Sequence, residues 1–357
     1  MPAGHGGQPV NDLARHLTSI GVEVIVVSLS TEVDRPWERT DGGLKVVLVP
    51  MRRSPRRRLL DLYRVEIGSL RAAARREAHD LIHAHWTYAY AHAALSVDRQ
   101  AIVSLHDSPA RLLRLSPSPG LAALTLQTAW TARLARNVVA TSPYVAGTWV
   151  RDFRGRQPLA VLPNIAPDMT GVKRACFSSR SLVTLGHPHP NKNLTTLIDA
   201  WPLIRQRFPD ISLNVAGAGT EKGGRFDTAH GASKRGIGMI GPLPRHKTLD
   251  LLGSSSLMVH PSLSEACPMS AIEAVSLGMP CVAGNQAGPM DWMLGQGGML
   301  VDVRDKHAIA DAVTRILSDQ SLYERMGQEA SRASRKFEPQ TVVPKWVSLY
   351  QTLLGER

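Results

Sequence analysis

Two glutamates lie eight positions apart in the stretch SEACPMSAIE, residues 264–273: Glu265 near its start and Glu273 at its end. Carboxylates can exchange protons, bind cations or accept hydrogen bonds from hydroxyl groups. From the spacing alone, the commoner interpretation is one carboxylate in a turn and one on the solvated face of a helix. The elements that surround the pair must therefore decide what it does.

The pair lies in a strand–turn–helix–strand segment. LMVHPS (257–262) is typical of a buried strand, MSAIEAVSLG (269–278) of a helix that ends at a glycine, and CVAG (281–284) of the next strand. In such βαβ units, ligands bind beyond the carboxyl ends of the strands, and free N–H groups at the helix N-terminus favour anions. A carboxylate would repel a phosphate, so each glutamate is better suited to accept hydrogen bonds from hydroxyl groups. A nucleotide sugar offers hydroxyls of both kinds, on its sugar and on its ribose.

The composition is that of a globular chain with two domains. The 357 residues are 43% hydrophobic and 20% charged, and no run of about 18 apolar residues offers a membrane span. Residues 1–8 lack the basic and apolar segments of a signal peptide, which makes the cytoplasm the expected compartment. The three cysteines have neither CxxC nor metal-ligand spacing.

The net charge of +12 is concentrated in the first half of the chain. Residues 1–165 contain 21 Lys and Arg and 13 Asp and Glu, a net charge of +8, which leaves +4 for the rest. Much of the excess lies in MRRSPRRR (51–58), which is suited to anionic lipid headgroups, nucleic acid or phosphorylated substrates, or forms a solvated loop. The run has no interleaved aromatic residues and no neighbouring binding module, so we expect no nucleic-acid partner.

Short β-branched runs alternate with amphipathic helices along the chain, a pattern typical of doubly wound α/β domains. The first series of strands is predicted at 23–29, 44–50, 80–85, 101–106, 137–142 and 159–164. The second series is predicted at 181–186, 211–219, 238–243, 257–262, 281–285 and 297–302. The polar, turn-rich segment 165–180 separates them. We therefore predict domains at 1–165 and 166–341 and a C-terminal helix at 342–357 that packs back across the domain junction.

One strand of the expected pattern is absent. A doubly wound domain opens with a strand that leads into a glycine-rich turn and a helix. Here the sequence starts at the turn itself, MPAGHGGQPV. Either the start is truncated relative to a complete domain, or the sheet lacks a central strand, and the sequence leaves both alternatives open.

Several ordered motifs resemble those of retaining glycosyltransferases of family 4, the glycosyl transferases group 1, and together they span nearly the whole chain. PSLSEACPMSAIEAVSLGMPCVAG is similar to the family's nucleotide-sugar motif, in which seven residues separate two glutamates. The turn GHGGQPV, the strand ends DLIHAHW and SLHDS, and the second-domain start LGHPHPNKNLTTLIDAW also match. The resemblance implies an α/β fold of the GT-B type, with two doubly wound Rossmann-like domains that face a central cleft.

The resemblance also implies roles for individual residues. Glu265 matches the glutamate that contacts the donor sugar, and Lys192 matches the lysine that neutralises the departing diphosphate, whose charge needs a fixed cation. His106 matches an N-domain histidine that lies over the donor sugar, so these three are the expected catalytic residues. Glu273 matches the glutamate that holds the ribose. The other implied donor-binding positions are His187, Met269, Ser270, Gly6 and Gly7.

Two positions depart from the family pattern. His187 stands where the family usually has an arginine, and Ala266 replaces the usual glycine after the first glutamate. A histidine with a pKa near 6.5 is only partly charged at neutral pH, whereas a guanidinium is always charged. The diphosphate is then held more weakly, or the ligand protonates His187, or another basic residue substitutes.

We therefore expect an enzyme that transfers a sugar from a nucleoside-diphosphate sugar to a hydroxyl acceptor, with retention, in glycan, polysaccharide or glycolipid synthesis. The alternatives are an epimerase or phosphorylase of the same architecture, and a non-catalytic or partner-dependent nucleotide-sugar-binding subunit of a glycan-assembly complex. We expect no cofactor and no metal, because no D-x-D pair occurs and His83, His85 and His92 lack a carboxylate at ligand spacing. The basic first half favours a glycan or lipid-linked acceptor and peripheral attachment to the inner membrane face.

Overall fold

The computed structural model describes Gly4 and residues 7–356, and the chain divides into two compact units. Unit 1 extends to Ile165 and resumes at Glu338, and unit 2 comprises Ala166–Phe337. The first division falls at the predicted 165/166 boundary. The second lies between residues 337 and 338, four residues before the predicted 341/342 boundary.

Within the described residues, unit 1 has seven strands in two sheets. They are β1 (Val24–Ser30), β2 (Trp37–Asp41), β3 (Leu44–Pro50), β4 (His83–His85), β5 (Ile102–Leu105), β6 (Asn137–Ala140) and β7 (Ala160–Val161). The sheets have the orders β1-β3-β2 and β4-β5-β6-β7, and all neighbours are parallel except β2 and β3. The sequence did not predict β2, because WERTD is polar and mostly exposed. Conversely, the strand predicted at 159–164 is only two residues long.

The two sheets of unit 1 are separated at the place where a doubly wound domain is normally continuous. The backbone N–H and carbonyl groups of the even-numbered residues of β1 point towards β3. The Val24 N–H donates to the Gly43 carbonyl, and the Ser30 carbonyl accepts from the Met51 N–H, both over 2.8 Å. On the opposite edge, the Leu29 N–H donates to the hydroxyl of Tyr90 over 3.2 Å. No strand within Gly4 and residues 7–356 connects β1 to β4.

Seven helices accompany these strands in the described part of unit 1 that precedes Ala166. They are α1 (Gln8–Ser19), α2 (Pro55–Leu60), α3 (Arg64–Arg76), α4 (Ala89–Val97), α5 (Pro109–Leu115), α6 (Pro119–Leu134) and α7 (Pro143–Phe153). Ser118 and Ser142 cap α6 and α7 by accepting hydrogen bonds from the backbone N–H groups of Leu121 and Val145. A serine cap followed by proline at the first helical position is a common way to start a helix.

Unit 2 contains one parallel sheet of six strands. They are β8 (Ser181–Leu185), β9 (Ser212–Ala216), β10 (Gly238–Gly241), β11 (Leu257–His260), β12 (Cys281–Gly284) and β13 (Gly298–Val301), in the order β10-β9-β8-β11-β12-β13. The helices are α8 (Leu194–Arg207), α9 (Arg225–His230), α10 (Arg245–Gly253), α11 (Met269–Ser276), α12 (Met290–Leu294), α13 (Lys306–Ser318) and α14 (Gln320–Ser334).

Both faces of the unit 2 sheet are buried. Successive strand residues belong to opposite cores, because side chains alternate across a strand. Leu182 packs with Trp201 and Ile316 on one face, and the adjacent Val183 packs with Ile272 and other buried residues on the opposite face. This is the doubly wound arrangement that the sequence predicts.

The last helix, α15 (Pro339–Gly355), belongs to unit 1, where its buried Trp346 and Leu353 pack in one core with Leu13 and Leu17 of α1. It begins three residues before the predicted start at 342. The reason is local: Glu338 is extended and Pro339, with its fixed φ, favours the first helical position. Among the described residues, no helix is both long and apolar enough to cross a membrane.

Candidate functional site

Glu265 lies at the centre of a polar cluster beyond the carboxyl end of β11. The Lys192 ammonium Nζ donates to Glu265 Oε1 over 2.6 Å, and His260 Nε2 lies 3.1 Å from the same oxygen. The Glu265 side chain is 10% exposed. No described residue forms a hydrogen bond with the second oxygen, Oε2, so a ligand hydroxyl can donate to it.

Lys192 reaches Glu265 because β8 and β11 are neighbours in the sheet and their carboxyl ends share one edge. Lys192 ends a 3-10 turn, Pro190–Lys192, that is bonded to the loop after β11. The Leu263 N–H donates to the Asn191 carbonyl, and the Asn191 side-chain amide donates to the Ser264 carbonyl, both over 2.8 Å. These bonds fix the lysine against the carboxylate.

Electrostatics keep Glu265 ionised. Burial alone would raise the pKa of the Glu265 carboxyl, but the Lys192 charge and the His260 hydrogen bond outweigh it and hold that pKa well below its usual range. The cluster is therefore a preformed ion pair in which the ammonium still has further N–H donors for an incoming anion.

Glu273, the second glutamate, is buried inside α11 and is paired with Arg245, the first residue of α10. Arg245 Nη1 donates to Glu273 Oε1. The other terminal nitrogen of Arg245, Nη2, is buried and has no hydrogen-bond partner. The sequence prediction missed Arg245. The available signal was its position just after the predicted strand at 238–243, since such strand ends line ligand sites in α/β sheets.

The N-terminus of α11 is open to an anion. Pro268 occupies the N-cap position and provides no side-chain cap, while Met269 and Ser270 begin the helix. The first N–H groups of a helix have no partner inside it and carry partial positive charge. Ser270 Oγ lies 3.5 Å from His260 Nδ1, which links this helix end to the Glu265 cluster.

His187 follows β8, and its side chain is exposed although the loop desolvates part of the ring. Burial, followed by the nearby charges of Lys192 and His189, lowers the pKa of its imidazole below 6.5. Without a ligand, His187 therefore does not provide the permanent charge of an arginine. The loop is tight here, because a Cβ on Gly217, whose φ is +149°, would collide with the Gly186 carbonyl.

In unit 1, His106 follows β5 and contacts His85 from the neighbouring strand β4. His106 Nε2 and His85 Nδ1 are 2.8 Å apart, and the ring centroids of His106 and Trp86 are 4.8 Å apart. Burial lowers the pKa of His106 to about 4, so its imidazole is neutral at physiological pH. Sequence reasoning named His106 as a candidate site residue but did not predict its hydrogen bond with His85.

Asp107, the next residue, is another feature that the sequence prediction missed. The Tyr88 hydroxyl donates to Asp107 Oδ2 over 2.6 Å. Burial raises the pKa of Asp107 to about 6, although the Tyr88 hydrogen bond acts in the opposite direction. The carboxyl therefore titrates close to physiological pH.

The glycine-rich turn is described only in part. Gly6 lies outside the described residues. Gly7 is the N-cap of α1, and a Cβ placed on it would come within 3.2 Å of Trp86 Cη2. Gly7 is thus close to the Trp86–His106 group. Among the described residues, no three His, Cys, Asp or Glu side chains are grouped as metal ligands.

Comparison with known proteins assigns the chain to a family. Residues 8–167 match the Glycosyltransferase Family 4 model, and residues 178–333 match the Glycosyl transferases group 1 model. D-inositol 3-phosphate glycosyltransferase of Corynebacterium glutamicum is 30% identical over 180 residues, covering 48% of this chain and 43% of that protein. The chain spans half or less of the length of the first curated relatives that it matches.

Solved structures of the same fold cover nearly the whole chain. Sucrose-phosphate synthase from Thermosynechococcus elongatus aligns with a TM-score of 0.80 at 18% identity, over 100% of this chain and 96% of that one. HepE of Anabaena, in complex with UDP and glucose, aligns with a TM-score of 0.74 at 17% identity, over 98% of each chain. The fold is that of the GT-B glycosyltransferases. The chain belongs to glycosyltransferase family 4, in the glycosyl transferases group 1.

Proposed function

We propose that the protein transfers a glycosyl group from a nucleoside-diphosphate sugar to a hydroxyl acceptor, with retention of the anomeric configuration. The observation that carries the proposal is the Lys192–Glu265–His260 cluster beside the open N-terminus of α11. A fixed cation, an ionised carboxylate with a free oxygen and unpaired N–H groups are the groups that a sugar linked to a diphosphate requires.

The donor would use these groups separately. Glu265 Oε2 accepts a hydrogen bond from a hydroxyl of the transferred sugar, while Glu273 accepts one from the ribose. Lys192 and the N–H groups of Met269 and Ser270 bind the diphosphate. Because Lys192 is already fixed by Glu265, it needs little rearrangement to neutralise the charge that develops on the leaving group.

In the reaction, the bond between the sugar and the diphosphate breaks as the acceptor oxygen forms the new glycosidic bond. The acceptor proton passes to an oxygen of the departing phosphate, which makes a separate protein base unnecessary. His106 contributes a neutral imidazole that can hydrogen-bond a sugar hydroxyl without adding charge. Its His85 hydrogen bond holds the ring orientation.

Two finer assignments guide the choice of substrates. HepE was solved with UDP and glucose, so UDP-glucose is the first donor to test. The basic first half of the chain favours a glycan or lipid-linked acceptor and peripheral attachment at the inner membrane face, and these define the first acceptor panel.

The test incubates the protein with nucleoside-diphosphate sugars and measures nucleoside diphosphate release, with and without acceptors. Glu265→Gln should lower turnover about 100-fold or more, as expected for a lost transition-state contact, whereas Glu356→Gln, on an exposed residue, should not. Nucleotide binding without turnover would instead favour the non-catalytic subunit. Turnover that inverts the anomeric centre would refute retention.

A further inference from the structure

Helix α6 of unit 1 exposes two large apolar side chains while it buries polar ones. Its buried face contains the polar residues Gln127, Thr128 and Thr131. Its outer face exposes Leu126 and Trp130, which are 56% and 61% exposed. A surface helix normally buries its apolar side, so this exposure of large apolar groups indicates an interaction surface.

A second exposed apolar group lies beside α6. Leu60, the last residue of α2, is 86% exposed. Two consecutive residues with left-handed backbone, Leu62 and Tyr63, follow it, at φ angles of 50° and 64°. Such backbone is unfavourable for residues other than glycine, and the turn is held in place by the buried Gln127, whose side-chain amide donates to the Leu62 carbonyl over 2.7 Å. The α2 turn and α6 therefore form one continuous surface.

The charge around this surface is strongly positive. Arg53, Arg56 and Arg57 are exposed beside Leu60. The two nearby carboxylates, Asp61 and Glu66, are both bound by Arg52 through hydrogen bonds of 2.7 Å and so do not neutralise the exposed arginines.

The α6 side adds to this positive charge. From Ser108 to Arg136, which includes all of α6, the sequence contains four arginines and no acidic residue. Of these, Arg133 in α6 and Arg136 just after it are exposed, so positive charge accompanies the exposed Leu126 and Trp130 on this side as well.

We infer that this surface, formed by Leu60, Leu126, Trp130, Arg53, Arg56 and Arg57, docks the protein onto an anionic lipid bilayer. Arginines attract the headgroups of anionic lipids. Leucine and tryptophan side chains insert at the boundary between headgroups and acyl chains, where tryptophan is enriched in membrane proteins. A second copy of the chain would bring the same exposed arginines to this surface, and its nearby carboxylates, Asp61 and Glu66, are bound by Arg52. Positive charge around exposed leucine and tryptophan side chains therefore favours the anionic bilayer, and binding to an acidic protein instead is an outcome that the test distinguishes.

Co-sedimentation with vesicles tests the inference on the full chain. Wild-type protein should sediment with vesicles of equal parts phosphatidylcholine and phosphatidylglycerol, should not sediment with pure phosphatidylcholine, and should be released by high salt. Arg53→Gln/Arg56→Gln/Arg57→Gln should lower the partition coefficient about 100-fold, since each arginine near an anionic surface contributes about fivefold. Leu60→Ser/Trp130→Ser should lower it at least about tenfold.

The controls are matched in charge and polarity. Arg207→Gln/Arg315→Gln/Arg325→Gln removes three exposed arginines of unit 2, and Ile20→Ser/Leu354→Ser removes two exposed apolar residues outside the surface. Both variants should bind vesicles like wild type. Quenching of tryptophan fluorescence by brominated phosphatidylglycerol should fall sharply in Trp130→Phe, a substitution that preserves the helix.

Vesicle binding tests the proposed membrane-docking surface, and nucleoside diphosphate release tests the proposed reaction separately. The membrane-docking inference would be overturned if wild-type protein bound neutral and anionic vesicles equally, or bound neither. A change in oligomeric state in Leu60→Ser/Trp130→Ser would overturn it too, because the surface would then be an interface between copies of the chain. Release of nucleoside diphosphate with a soluble acceptor should stay unchanged in all these variants, so failure here leaves the proposed transfer reaction unaffected.

Discussion

Arg245 and Glu273, 28 residues apart in the sequence, form an ion pair in which Arg245 Nη1 donates to the buried carboxylate while Nη2 is buried without a hydrogen-bond partner. The carboxylate expected to hold the ribose is thus positioned before any nucleotide binds. We expect this unsatisfied Nη2 to donate a hydrogen bond to the bound nucleotide.

Substituting Arg245 should therefore affect both stability and binding. Arg245→Gln leaves Glu273 buried with less compensation, and we expect the free energy of unfolding to fall by about 1–3 kcal/mol and UDP to bind about tenfold more weakly. Urea unfolding and calorimetric titration with UDP measure the two effects. Arg207→Gln, on an exposed arginine, is the control. Unchanged UDP affinity would mean that the pair is purely structural.

Lys192→Met should lower the free energy of unfolding at neutral pH but have little effect on it in acid. The pKa of Glu265 is lowered in the folded protein, so its contribution to stability is present at neutral pH and is lost as the pH falls below about 4, the usual value for glutamate. Lys192→Met removes this contribution. The stability difference from wild type should be largest at neutral pH and shrink in acid, whereas Lys222→Met should match wild type throughout. A difference that is constant with pH would exclude the ion-pair explanation.

His187→Arg should strengthen the binding of UDP. Because the pKa of His187 is lowered by burial and by Lys192, wild-type affinity should rise as the pH falls and the imidazole becomes protonated. The arginine is charged throughout. We therefore expect several-fold tighter binding at neutral pH and a flatter pH dependence. Titrations at acidic and neutral pH measure both, and equal slopes for the two proteins would show that His187 does not contact the diphosphate.

Asp107→Asn should stabilise the protein at neutral pH. The pKa of Asp107 is raised to about 6 by burial, so wild-type stability falls as the pH rises from about 4 through 6 and the buried carboxyl ionises. An asparagine cannot ionise but still accepts the Tyr88 hydrogen bond. We expect a gain of about 1–2 kcal/mol at neutral pH and almost none in acid, measured by urea unfolding with Asp311→Asn as the control. A loss of stability at both neutral and acidic pH would contradict the raised pKa of Asp107.

Local patterns were sufficient to predict most elements but not the contacts between them. The apolar run at 257–260 and the glycine at 278 define β11 and the end of α11, and the strand of residues 37–41 was missed because its exposed face is polar. Lys192 meets Glu265 only because β8 lies beside β11, and His106 meets His85 only because β5 lies beside β4. Sheet order depends on tertiary packing, so only the family resemblance connected Lys192 with Glu265.

The break between β1 and β4 has a consequence for how the chain unfolds. Within the part of the chain that the structure describes, unit 2 has one continuous sheet with both faces covered, whereas the strands of unit 1 lie in two smaller sheets. Amide hydrogens of Ile25 and Val27, on the outward edge of β1, should exchange with solvent much sooner than those of β8 and β11.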